Sequence, residues 1–150
     1  MTLTYFNISK KSSYAIKALF ELALRSRNTP VPVRSLAKAQ GIPSRFLEII
    51  LNDLKHGGFV RSVRGKSGGY LLAQSPKDIT IAQIIRFLEK SPEHIEPTQW
   101  QPEHRGDFVL KHAISRINEA ISEICDKTTL KDMLDEELEN RTVYISNYVI

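Results

Sequence analysis

Apolar residues return every three to four positions over the first part of the chain. Between Ser9 and Arg27 they are Tyr14, Ala15, Ala18, Leu19, Leu22 and Ala23, a spacing that predicts a helix with one apolar face. Lys10, Lys11 and Lys17 lie in its first half, and Arg25 and Arg27 at its end suit the negative pole of the helix dipole. Asn28-Thr29-Pro30-Val31-Pro32 breaks the helix. A short helix over about Arg34–Gln40 follows, with Leu36 and Ala37 inward and Gly41 as its stop. Ile42 is expected to pack in the turn, and Pro43 suits the start of the next element. That element is a helix over Ser44–His56, with Phe46, Leu47, Ile50, Leu51 and Leu54 as its buried stripe and Gly57-Gly58 ending it.

Beyond the glycines, Phe59-Val60-Arg61-Ser62-Val63 alternates as a strand does, Arg64 to Gly69 reads as a loop, and Tyr70-Leu71-Leu72-Ala73 as the returning strand. The result is a β-hairpin with a basic, glycine-rich tip. Thr80 with Gln83 makes a capping box that opens a short helix through about Glu89, carrying Ile81, Ile84, Ile85 and Leu88. Ser91–Gly106 holds three prolines and little periodicity; it reads as a long loop, a kind of segment that is usually functional or disordered in compact domains.

The last major helix is expected over about Asp107–Asp126. In it Leu110, Ile114, Ile117, Ile121 and Ile124 are spaced 4, 3, 4, 3, the seam of a helix that pairs with another. Thr129 and Asp132 cap a final short helix with Leu130, Met133, Leu134 and Leu138, and the tail Val143–Ile150 is expected as a strand or a loose end. The expected fold is mainly α with a small β-hairpin wing. It divides into a winged helix-turn-helix unit over 1–90, a loop over 91–106, and a dimerisation helix with a short C-terminal helix and tail over 107–150.

Charge sharpens this picture. The 150 residues carry a net +4, but residues 1–90 hold 15 Lys+Arg against 5 Asp+Glu, whereas residues 91–150 hold 6 against 12. A basic part of +10 joined to an acidic part of −6 points to a polyanion as partner of the first, although a solvated surface with unevenly distributed charge is the plain alternative. No apolar run approaches the roughly 18 residues of a membrane span, so no membrane partner is expected. Lys10 and Lys11 have no apolar segment before them, so no secretory leader is expected. The single cysteine, Cys125, excludes an intramolecular disulfide and fits a reducing cytoplasm.

Two short helices joined by Gly41-Ile42-Pro43 and followed by a basic hairpin suit duplex DNA. The second helix fits the major groove and offers its N-terminal side chains to base edges, while the hairpin lies along the backbone and reaches a minor groove. Ser44, Arg45 and Glu48 are the exposed N-terminal positions: Arg45 donates to guanine or phosphate, Glu48 accepts from cytosine N4, and Ser44 does either. Taken singly, Arg45 and Glu48 are as well explained by a solvated helix face. Phe46 is assigned to the core. Arg61, Arg64 and Lys66 surround the hairpin glycines, with Arg64 at the tip the candidate for minor-groove insertion, and Lys11 is a further candidate DNA contact. A nucleotide-cradling loop is the weaker reading, because no G-x-x-x-x-G-K-[ST] is present.

The segment from Gly58 through Ala73, with Tyr14-Ala15-Ile16-Lys17-Ala18-Leu19 and Gly41-Ile42-Pro43-Ser44-Arg45-Phe46-Leu47-Glu48, resembles the IscR-type winged-helix transcriptional regulators (IscR/NsrR/CymR-like). The resemblance runs from about Ile8 to Leu134, with Lys66-Ser67 where the family's wing usually has Pro-Gly. It implies that Glu48 and Arg64 fall on the family's base-reading and minor-groove positions, and that the chain dimerises through its long C-terminal helix.

Many such regulators hold an iron–sulfur cluster with three cysteines ahead of that helix. Here the stretch Pro97–Val109 has none, Val109 stands where the last is expected, and His112 matches a histidine ligand. No cofactor is therefore expected. One alternative is a metal site with harder ligands, His94, His104 and His112 with Glu93, Glu96 and Glu103; another is an atypical cluster or metal at His104, His112 and Cys125; surface histidines in a polar loop and a buried small Cys125 are the plain readings.

The leading expectation is a homodimeric, sequence-specific DNA-binding regulator on a palindromic operator, answering a small-molecule or protein effector. A second reading is a protein-interaction module that binds a metabolic enzyme or another regulator through the acidic C-terminal region. A third is a metal- or cluster-sensing form of the regulator. No nucleophile–base pair or cofactor fingerprint suggests an enzyme.

Overall fold

A computed structural model describes residues 7–25, 27–89 and 103–148. Six helices and one hairpin follow in order: α1 Lys10–Leu24, α2 Val33–Gln40, α3 Ser44–His56, β1 Val60–Val63, β2 Gly69–Leu72, α4 Ile81–Leu88, α5 Arg105–Lys127 and α6 Leu130–Tyr148. A short 3-10 turn, Pro76–Asp78, links hairpin and α4.

The apolar stripe of α1 forms the centre. Ala15, Ala18, Leu19 and Leu22 are buried on it, and α2, α3, α4 and α6 pack around it. Burying each Leu or Ile of this core contributes about 1.5–3 kcal/mol. The Ser9 hydroxyl caps α1 by accepting from the Ser12 N–H at 3.1 Å. The helix stops at Leu24, three residues before Arg27, because the chain must turn early enough for Val31 to pair with Tyr70 (N–H to carbonyl 2.9 Å in both directions). Gly41 ends α2 in the left-handed conformation at φ 63°, where its N–H donates to the Ala37 carbonyl.

Strands β1 and β2 are antiparallel, with Val60 opposite Leu72 and Val63 opposite Gly69. The expected capping box at Thr80 is present: its hydroxyl accepts from the Gln83 N–H at 3.2 Å and its own N–H donates to Gln83 Oε1 at 2.9 Å. The same arrangement recurs at Thr129 and Asp132, at the start of α6. Two backbone bonds, Ile81 N–H to Thr128 carbonyl and Leu130 N–H to Ile79 carbonyl, both 2.9 Å, tie the α5–α6 turn to the start of α4. Leu130 is fully buried there.

Two further expectations change. The tail is neither strand nor loose end: α6 continues to Tyr148, since residues 130–148 contain no glycine or proline and the Glu137–Arg141 pair (2.8 Å) spans one turn. Phe46 is not core but 59% exposed. A helical side chain leans toward the N-terminus of its helix, so at the first turn of α3 Phe46 projects past the end of the packed region. Most of the expected loop 91–106 lies outside the described residues, and α5 begins within its last two positions.

Candidate nucleic-acid interface

The buried stripe of α3, Leu47, Ile50, Leu51 and Leu54, faces α1 and α2. That anchoring turns Ser44, Arg45 and Glu48 outward, and all three are exposed. Ser44 opens the helix, so its unpaired N–H groups and the positive end of its dipole lie at the same end as these side chains. The surface thus offers a guanidinium donor, a carboxylate acceptor and a hydroxyl within one and a half turns. Lys11 of α1 reaches across to Asp53 of α3, Nζ to Oδ2 2.7 Å, and both stay partly solvated. It braces the helix as an ion pair in which Asp53 offsets its charge, and Asp53 is a partner that pattern reading missed.

The hairpin follows α3 directly and packs against it through β1. Arg61, Arg64 and Lys66 are all exposed on it. One of its glycines, Gly69, serves the fold. Gly69 has φ 153°, and a Cβ there would lie 2.3 Å from the Val31 carbonyl oxygen. The wing is thereby held to the segment between α1 and α2.

Sequence reading also missed Ile49, which is 61% exposed on the same helix as Arg45 and Glu48. The available signal was its position: residue 49 lies off the 47, 50, 51, 54 stripe.

No residue of α5 is buried. Leu110, Ile117 and Ile124 are exposed, and Ile114 and Ile121 half-buried. Near its end, Arg86 of α4 grips Asp126 with two bonds, 2.5 and 2.9 Å, and that guanidinium holds the Asp126 carboxyl below the usual carboxylate range. Cys125 beside it is half-buried. Burial and the Asp126 carboxylate push its thiol up against the opposing pull of Arg86, the reverse of a reactive thiolate. His104 sits 3.7 Å from Asp107, His112 is exposed, and Cys125 lies about 20 Å along the helix from His112 by helix rise. His94, Glu93 and Glu96 fall outside the described residues.

An anchored helix with a polar, exposed N-terminal face, followed by a cationic hairpin, defines a winged helix-turn-helix DNA-binding protein. Comparison narrows the class. Residues 8–136 match the model of the Rrf2 family, described as an iron-dependent transcriptional regulator, and the chain belongs to that family. It is 32% identical over 141 residues to the HTH-type transcriptional regulator CymR of Bacillus subtilis, covering 92% of this chain and 99% of that one. It is 31% identical over 134 residues to the HTH-type transcriptional regulator IscR of Pectobacterium carotovorum, covering 87% and 80%. The solved structure of CymR, the global cysteine regulator of B. subtilis, superposes with a TM-score of 0.75 at 31% identity, over 87% of this chain and 98% of that one. That of T. potens IscR gives 0.71 at 33% identity, over 89% of each.

The protein is therefore a DNA-binding transcriptional regulator and not an enzyme. The iron in the family's description meets a donor set that does not fit a three-thiolate cluster. The chain has one cysteine, and among the described residues no group of three His, Cys, Asp or Glu side chains is placed to hold a metal ion. No helix among the described residues is long and apolar enough to cross a membrane.

Proposed function

We propose that the protein acts as a homodimer on a roughly palindromic DNA operator, with α3 in the major groove and the wing tip in the adjacent minor groove. The observation that carries this reading is the outward Ser44, Arg45 and Glu48 face directly followed by the exposed Arg61, Arg64 and Lys66 of the hairpin. Ser44, Arg45 and Glu48 address base edges; Arg61, Lys66 and Lys11 address phosphates; Arg64 enters the minor groove, where its guanidinium meets the strongest negative potential. Dimerisation supplies the second half-site, and the exposed Leu110, Ile117 and Ile124 of α5, with Ile114 and Ile121 beside them, support a helix-to-helix pairing. A small-molecule or protein effector acts by changing the spacing of the two α3 helices. The protein works in the cytoplasm.

Gel shifts on operator duplexes across a salt series test the assignment. With the three exposed wing cations Arg61, Arg64 and Lys66 of each subunit releasing counterions on binding, log affinity should fall with log salt at a slope of about −5. Arg64→Ala should weaken operator binding and flatten that slope, whereas Glu48→Ala should relax discrimination at one base pair per half-site by about 1–3 kcal/mol. Both variants should sediment like the wild type. Affinity for every promoter fragment no better than for random duplex would overturn the reading.

A further inference from the structure

Two large apolar side chains on α3 are without cover. Ile49 is 61% and Phe46 59% exposed. In helical projection Ile49 lies between Arg45 and Asp53, on the solvent arc that also carries Glu48 and Asn52, opposite the stripe that faces the core. Phe46 flanks this arc on the side where Asp53 meets Lys11. A lone exposed apolar residue means little. Here two stand next to Arg45 and Glu48, on the most basic part of the chain. The major groove presents one apolar group, the 5-methyl of thymine.

We propose that Ile49, with Phe46 beside it, reads thymine methyl groups next to the base pair that Glu48 contacts. The inference rests on the operator reading of α3 and adds to it a group, the thymine methyl, that hydrogen-bonding side chains do not read. A second copy of this chain is the poorer occupant, because Arg45 and the wing cations Arg61, Arg64 and Lys66 would face their own likeness.

The test uses the full-length protein and operator duplexes that it captures from a random pool. Each thymine is replaced in turn by deoxyuridine, which keeps every hydrogen-bonding group and removes only the methyl. The expected result is a loss of roughly fourfold in affinity at one or two positions per half-site. In Ile49→Ala that loss should vanish at the position nearest the Glu48 contact, and in Phe46→Ala at its neighbour. Both positions are exposed, so both variants should melt like the wild type. If the wild type selects an operator yet tolerates deoxyuridine throughout, or if Ile49→Ala keeps the full penalty, this proposal falls and the operator reading stands. A drop in sedimenting mass for Ile49→Ala would make the face a protein interface and overturn it as well. If nothing is captured above random duplex, both readings fall together.

Discussion

Gly69 shows how a single hydrogen atom in place of a side chain sets the wing. Its φ of 153° and the Val31 carbonyl oxygen, 2.3 Å from where a Cβ would sit, leave no place for alanine. Gly69→Ala should therefore separate the hairpin from Val31 and destabilise the fold by about 2 kcal/mol or more, seen as a lower melting temperature. A melting point equal to that of the wild type would show that the strand can shift without penalty. The glycine pattern was legible in the chain, but its purpose was not: sequence showed a loop rich in glycine, whereas the close neighbour is 38 residues away in sequence, at Val31. Phe46 makes the same point from the other side. Its i to i+4 relation to Ile50 satisfies a core pattern, yet the pattern cannot say that no element covers the first turn of α3.

Element by element, the chain announced its helices through spacing and caps. The Thr80–Gln83 and Thr129–Asp132 pairs were readable because they are local, three residues apart. The connection of α4 to the start of α1 was not. Glu89 follows α4 and accepts from the Ser9 N–H at 3.0 Å, placing a carboxylate at the positive end of α1. Partial burial pushes this carboxyl up, but the bonds from the Ser9 and Ser12 region outweigh it, and its pKa lies below the ordinary carboxylate range. A folded-state value below the unfolded one adds stability above the unfolded pKa, and that stability is lost as pH falls toward the folded value. Glu89→Gln should be less stable than the wild type at neutral pH, and denaturant titrations should show the gap closing as the solution is acidified through the carboxylate range. A gap constant with pH would mean that the charge contributes nothing. The length of α6 was also hidden, because a helix with acidic and basic residues all round has no stripe to count, and only the absence of glycine and proline marks its extent.

At the scale of the molecule, the chain divides into a basic part of +10 and an acidic part of −6, and the proposed function assigns the grip on DNA to the first and the pairing of subunits to the second. Pairing through α5 has a direct check. Ile117→Arg places a cation in the middle of the exposed seam, so the variant should sediment as a monomer, keep its fold, and lose most of its operator affinity. A variant that stays dimeric would move the interface off α5. Because α5 has no buried residue of its own, the substitution leaves the core untouched, and its effect on the melting of the winged unit should be small. Five helices and the start of the sixth, the hairpin, the Thr80 and Thr129 caps, the charge division and the likeness to a regulator family were readable in the chain itself, because each is carried by neighbours along it or by composition. Tertiary structure decided which of those residues face outward, that Lys11 is paired with Asp53, that Gly69 answers to Val31, and that Phe46 and Ile49 are left uncovered. The reason is physical: periodicity specifies that a helix has an apolar side, but what covers that side is set by segments distant in sequence and brought near only by folding.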